Sequence, residues 1–334
     1  MRIVRWDASD HAATAACYEV TAAASAVDDP LGPPVTARRM RFWFEHPAEP
    51  AEIWYVPGAT AGSAQGWYRL ELPGQENLDR GGLRLDVHPS CRRCGIGSAL
   101  LAHAASRAAL DGRSILGSMV LHGSAGEAFA RHWGATPGLV DARRVLVLGS
   151  IPAGQVASLR ERAAQAAAGY SLVSWYGRTP DEYLARYAEV ENAMADAPHD
   201  DGQEPAVWDA ARVREQMDDI RERQGRRIYT LAALHDASGE MAAVTAVEAD
   251  PDNPEWGHQL ITAVVRKHRG HRLGLLVKTA MLDWLAVTEP ALERIVTGNA
   301  AVNRYMIAIN EELGYELLSP SVQGYELPVT ALSR

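Results

Sequence analysis

One short pattern, written twice in a chain of 334 residues, constrains the fold more than any other feature. Arg92-Arg93-Cys94-Gly95-Ile96-Gly97 in the first half is answered by Arg269-Gly270-His271-Arg272-Leu273-Gly274 in the second, 177 residues on. A second landmark, Trp133-Gly134-Ala135, is answered by Leu313-Gly314-Tyr315 at an offset of 180. The landmarks lie 42 residues apart in one half and 45 in the other, counted from Arg92 to Gly134 and from Arg269 to Gly314. Two landmarks at nearly equal spacing imply that one plan is built twice.

The residues between the landmarks support this. Strand patterns at 51–57, 66–72 and 82–88 precede a helix at 96–111, a short helix at 126–133 and a strand at 143–148. A Gly/Pro/Ser break at 149–154 then leads into an Ala-rich helix at 155–168. The plan restarts with a strand at 170–175, helices at 180–195 and 206–224, and strands at 227–234, 241–248 and 258–265. A strongly amphipathic helix at 273–287, a strand at 293–297, a helix at 302–313 and a strand at 323–327 complete it. The expected division is a domain at 1–150, a linker helix at 151–169 and a domain at 170–334.

In each half the repeated pattern joins a strand to a helix. A helix start offers free backbone N–H groups and the positive end of the helix dipole. Glycine lets an anion approach the main chain, and arginine adds charge-assisted hydrogen bonds. The loop suits a diphosphate. Alone, such a loop more often reads as an ordinary Gly-containing turn with a solvated basic tip. Its recurrence favours the anion-binding reading.

These residues carry a family resemblance. Val87 followed five residues later by Arg92-Arg93-Cys94-Gly95-Ile96-Gly97 matches the acetyl-CoA signature of the GNAT N-acetyltransferases, Arg/Gln-x-x-Gly-x-Gly/Ala. Val264 followed by Arg269 to Gly274 matches it except that Arg272 takes a glycine position. The run TGNAAVNRYMIAINEELGYEL at 297–317 is similar to the family's next block. The resemblance implies an α/β (α+β) chain of two tandem GNAT folds, each a mixed, mostly antiparallel twisted sheet flanked by helices. It also implies a central pair of parallel strands that splay apart around the pantetheine arm of acetyl-CoA or another acyl-CoA, and direct attack by a small-molecule amine. Carried over by position, the cofactor would meet Thr262, Ala263, Val264, Gly270, His271, Arg272, Leu273, Gly274, Leu275 and Asn303 in the second half. In the first it would meet Leu85, Asp86, Val87, Arg93, Cys94, Gly95, Ile96, Gly97 and Ser98.

The family's general-acid tyrosine is absent from both halves. Its place is taken by Asn310 and by Ala130, and Tyr305 on the same helix is a loose substitute. As base, Glu255 and His258 are the candidates in the second half, with the bland alternative that His258 is a surface residue of an edge strand. Asp86 and Glu76 are weaker candidates in the first half. Acidic residues at Asp196-Ala197-Pro198 and Glu204 lie where such folds often receive an acceptor, and a solvated loop explains them equally well. The second half holds the fuller set and is the expected site of turnover. Non-catalytic acyl-CoA binding is the alternative, motivated by the missing tyrosine.

Other classes are disfavoured. The net charge of −9 argues against a general nucleic-acid binder. No apolar run is long enough to span a membrane, and the N-terminus does not read as a signal peptide, so a soluble cytoplasmic protein is expected. Three cysteines give no disulfide framework. Cys91-x-x-Cys94 overlaps the cofactor loop and lacks a second ligand pair for zinc, so no metal is expected. His268 and His271 fit phosphate or solvent better than a metal. No Gly-rich loop is followed at the right distance by a ribose-binding acid, which disfavours a nucleotide-binding oxidoreductase. The tandem arrangement resembles a fused dimer and fits a monomer.

Overall fold

The computed structural model describes residues 1–196 and 202–332 and divides into two compact units. The first comprises residues 1–141, 200–204 and 319–334; the second comprises 142–199 and 205–318. This division does not follow a cut of the sequence at 150 and 169. Each unit takes its last sheet strand from the other half of the sequence.

In the first unit the strands are β1 (Val4–Arg5), β2 (Ala51–Pro57), β3 (Ala64–Glu71), β4 (Arg80–Val87), β5 (Ile115–Leu121) and the start of β6 (Thr136–Val147). The chain's terminal strand, Val322–Pro328, lies between β5 and β6. It pairs antiparallel with β5 over seven registers, from Val322↔Leu121 to Pro328↔Ile115. Glu326 forms an ion pair with Arg80, and the Tyr325 hydroxyl donates to Glu127 at 3.0 Å. The helices are α1 (His11–Asp28), α2 (Ala37–Glu45), α3 (Ile96–Leu110) and α4 (Ala125–His132). Asp10 caps α1 by accepting from the Ala13 N–H at 2.9 Å, and Ser124 caps α4. On α3, Ile96, Leu100, Ala104 and Ala108 recur every four residues and pack with Tyr68, Leu70 and Leu327 into one core.

The second unit uses the end of β6, then β7 (Tyr170–Tyr176), β8 (Arg227–His235), β9 (Met241–Asp250), β10 (Asn253–Val264), β11 (Arg294–Ala300) and β12 (Glu316–Leu317). The strand order is β6-β11-β10-β9-β8-β7, with β12 also on β6. Its helices are α5 (Gln155–Ala166), α6 (Asp181–Asn192), α7 (Ala210–Arg212), α8 (Ile220–Arg223), α9 (Leu273–Thr288) and α10 (Arg304–Leu313). A π-helical turn, Val213–Asp219, joins α7 to α8. One core lies between the sheet and α5, α9 and α10, and includes Leu159, Val247, Leu273, Val277, Ile295 and Leu313. The opposite face is covered by α6 and the 210–223 helical stretch, around Trp175, Tyr187, Val190, Val213, Val244 and Ala263. Among the described residues no helix is long and apolar enough to cross a membrane.

In both units a central parallel pair starts together and then parts. β4 and β5 pair from Arg80↔Ile115 to Gly82↔Gly117, and β4 runs on alone to Val87. β10 and β11 pair from Trp256↔Arg294 to His258↔Val296, and β10 runs on to Val264. Beyond these points each sheet opens into a cleft with main-chain groups along its edges.

Candidate cofactor and acyl-transfer site

The two loops share one backbone trace despite different sequences. Arg93 has φ 64° and Gly95 φ 80°; at the matching places Gly270 has φ 92° and Arg272 φ 52°. Each loop needs two left-handed residues, one position apart, immediately before its helix. Each supplies one glycine and one arginine, in opposite order. The departure at Arg272 therefore leaves the loop conformation intact, at the cost of a strained arginine, about 1 kcal/mol.

The leading arginine does the same job in both halves. Arg92 Nε–H donates to the Val87 carbonyl at 3.4 Å, and Arg269 Nε–H donates to the Val264 carbonyl at 3.3 Å. This contact ties the loop back to the strand it leaves and explains the five-residue spacing from valine to arginine. Arg92 is further locked by a bidentate pair with Asp28 at 3.0 and 2.5 Å.

Neither helix start is capped by a side chain: Gly95 before α3 and Arg272 before α9 make no capping hydrogen bond. The N–H groups of Ile96, Gly97 and Ser98, and of Leu273, Gly274 and Leu275, belong to first turns that have no carbonyl partner within the helix. A Cβ built on Gly95 or Gly270 would meet nothing within 4 Å, so the approach is open. Gly97 and Gly274 serve packing instead. A Cβ on Gly97 would lie 3.3 Å from the Phe129 ring, and one on Gly274 would lie 3.1 Å from Ile309 Cδ1. Open left-handed loops, free N–H groups and an unpaired strand edge fit the diphosphate and pantetheine of a CoA.

Beyond the loops the units differ. β4 pairs with β3 without interruption, from Gly66↔Val87 to Glu71↔Gly82. β10 is bulged: Gln259 faces Val247 and Ile261 faces Ala246, so Leu260 has no partner on β9. The Gln259 amide holds the bulge, donating to Thr245 Oγ1 at 3.0 Å, the Ala246 carbonyl at 2.7 Å and the Ile261 carbonyl at 2.9 Å. Thr262, on the same arm, hydrogen-bonds Thr245 at 2.9 Å. Ala263 is buried in the α6-side core, and Val264 packs on the α9 side.

The candidate acid–base residues are scattered. His258 sits at the last paired position of β10, where the cleft opens. Glu255 is exposed at the start of the same strand. Strand alternation puts it on the other face, so the two are not brought together. Asn310 is completely buried at 0% exposure. Its Oδ1 accepts from Lys278 Nζ at 2.8 Å and its Nδ2 donates to Asn299 Oδ1 at 2.7 Å. Lys278 is 3% exposed, and burial pushes its ammonium down to about 7. Tyr305 is 90% exposed, which removes it from any enclosed site. Asn303 accepts from the Met306 N–H at 3.3 Å as the cap of α10.

Other candidates prove structural. Asp86 accepts from Thr21 at 2.8 Å and from Arg84 at 3.2 Å. Glu204 belongs to the first unit, where it and Asn77 exchange hydrogen bonds at 2.8 and 2.9 Å. Ala197 and Pro198 lie outside the described residues. His268 bonds the Tyr170 hydroxyl at 3.0 Å, and His271 lies 5.3 Å from the Tyr170 ring. The cysteines are free thiols, and among the described residues no three potential ligands converge on a metal position.

Sequence reasoning missed two buried charges. Lys278 is hidden inside an amphipathic helix; the signal was the repeat itself, which sets it opposite Leu101 at the 177-residue offset. Glu191, on α6, is 8% exposed, and its Oε1 has no hydrogen-bond partner. Burial pushes its carboxyl up to about 7, opposed by Arg221 and the Tyr187 hydroxyl.

Comparison with known proteins agrees with the geometry. Residues 17–123 match the acetyltransferase (GNAT) family model. No curated protein sequence matches. Among solved structures, a tandem GNAT protein from the clavulanic acid biosynthesis pathway is 29% identical, with 98% of each chain covered and a TM-score of 0.79. A GCN5-related N-acetyltransferase from Sphaerobacter thermophilus is 14% identical, covering 98% of this chain and 95% of that one at a TM-score of 0.64. A glucosamine N-acetyltransferase region of a fungal β-N-acetylglucosaminidase is 12% identical, covering 98% of this chain and 38% of that one at a TM-score of 0.67. The latter two speak for the fold alone. Residues 17–123 form a GNAT acetyltransferase domain, and the chain as a whole is a tandem GNAT protein.

Proposed function

We propose that this chain is an acyl-CoA-dependent N-acyltransferase, with acetyl-CoA the expected donor and a small-molecule amine the acceptor, and that its second unit carries out transfer. The observation that carries this reading is the bulged, splayed arm of β10 leading into an uncapped helix start. The N–H groups of Leu273 to Leu275, with Gly270 and Arg272, would hold the CoA diphosphate. The free edge of Thr262 to Val264 would pair with the pantetheine amides as an added strand. The bulge at Leu260 turns main chain toward the cleft, where an N–H can polarise the thioester carbonyl.

Glu191 is the stronger candidate for the base, in place of Glu255. It stands on α6, which packs against the sheet face that holds Ala263 of the cofactor strand. A carboxylate near 7 with an unengaged oxygen is suited to take a proton from an amine at neutral pH. Turnover should then rise as pH passes about 7, and Glu191→Gln should cost about 100-fold and flatten that limb. Stability moves the other way. A raised carboxyl favours folding fully below its unfolded value of 4.5 and loses that contribution as pH climbs to about 7. Glu191→Gln should therefore raise Tm at pH 8, by relieving about 3 kcal/mol, and leave it unchanged at pH 4. Melting curves at both pH values, beside a pH–rate profile, check the pair.

The first unit invites a second reading. Its β4 is unbulged and Ala130 replaces the acid, so it is suited to hold an acyl-CoA without transferring from it.

A further inference from the structure

The Lys278–Asn310–Asn299 chain is costly and local to one unit. Lys278 has one hydrogen-bonded partner, Asn310, and lies 4.6 Å from the centre of the Tyr315 ring. At the matching positions of the first unit stand Leu101, by the loop offset, and Ala130, by the helix offset. Val120 lies three residues past the last parallel pair of β5, as Asn299 does on β11. All three are apolar. The fold is therefore built without this polarity in one copy, and a buried lysine in the other opposes stability.

The direction of the chain is fixed by chemistry. A lysine ammonium only donates, so Asn310 must turn Oδ1 to it and Nδ2 to Asn299. Asn299 then accepts with Oδ1, and its own Nδ2 has no acceptor among the described residues. Asn299 is half-buried on the open arm of β11, on the face covered by α9 and α10.

We propose that Lys278 and Asn310 are positioning residues that hold Asn299 with its amide N–H groups toward the cleft, as the donor to the thioester sulfur. In transfer the acceptor nitrogen bonds to the acyl carbon and the C–S bond breaks. Its electron pair goes to sulfur, where Asn299 hydrogen-bonds the thiolate, and the acceptor's proton leaves to base. An oriented amide would thus do by hydrogen bonding what a tyrosine does by proton donation. The proposal rests on the second unit binding acyl-CoA.

The test compares CoA with desulfo-CoA by calorimetry, in an Arg93→Asp background that silences the first loop. Thiolate forms as pH rises, so the parent should prefer CoA increasingly between pH 7 and pH 9, reaching about tenfold. Asn299→Ala and Lys278→Met should bind desulfo-CoA as the parent does and lose the preference. Lys278→Met should also raise Tm, whereas a lysine kept for structure would lower it on removal. A parent without preference, or variants that keep it, overturns the proposal. Failure of the parent to bind desulfo-CoA instead removes the reading beneath it.

Discussion

Arg272→Asp is expected to weaken CoA binding by the second unit about 100-fold while leaving the fold intact. Arg272 is exposed, and its φ of 52° suits aspartate better than arginine, so the loop itself loses nothing. The charge beside the helix start changes from positive to negative. Opposite unit charges about 5 Å apart near a surface contribute about 2–3 kcal/mol, and reversing one next to a diphosphate removes at least that much. Arg272→Gly is the companion: it relieves the left-handed strain, raises stability by about 1 kcal/mol and retains most of the affinity. Calorimetry and melting of both variants distinguish a charge effect from damage to the loop.

A chain ending at Leu318 should lose the first unit altogether, although it removes no residue of the first half. The terminal strand lies between β5 and β6, and its departure leaves β5 without its seven-register partner. Tyr325, Leu327 and Val329 are buried, and each contributes about 2 kcal/mol. The Arg80–Glu326 pair and the Tyr325–Glu127 hydrogen bond go with them. Against a reserve of about 5–15 kcal/mol for a domain, the loss is decisive. Hydrogen exchange should show the amides of β3, β4 and β5 unprotected, with those of β8 to β10 still protected. Protection throughout would contradict the strand exchange.

The exchange shows where sequence reading stops. Periodicity placed α3 and α9 closely, because four-residue apolar spacing is a local signal. It placed the end of β6 and the terminal strand as well, yet not their partners, since pairing is set by contacts far apart in sequence. β5, ILGSMVL, went unread: its glycine and serine dilute the strand pattern, and its identity comes from its neighbours. α2 was missed for a similar reason, being short and rich in arginine, with only Met40 and Phe44 buried.

At the site, the loops were legible because they repeat. The glycine-to-arginine departure at Arg272 read as a defect until the backbone showed that glycine and arginine had exchanged places. Asn310 was marked only as a missing tyrosine. Its partner Lys278 lies 32 residues away, on a helix face that composition describes as apolar, so no local pattern could join them. Glu191 was hidden in the same way among the aromatic residues of the α6 face.

The central claim is that an uncapped helix start in each half grips the diphosphate of CoA with main-chain N–H groups. Titration of the intact chain with CoA, followed by heat, tests it directly. The account predicts saturable binding that falls when Arg272→Asp is introduced and falls again with Arg93→Asp. No heat at millimolar CoA, or binding indifferent to both changes, would contradict it.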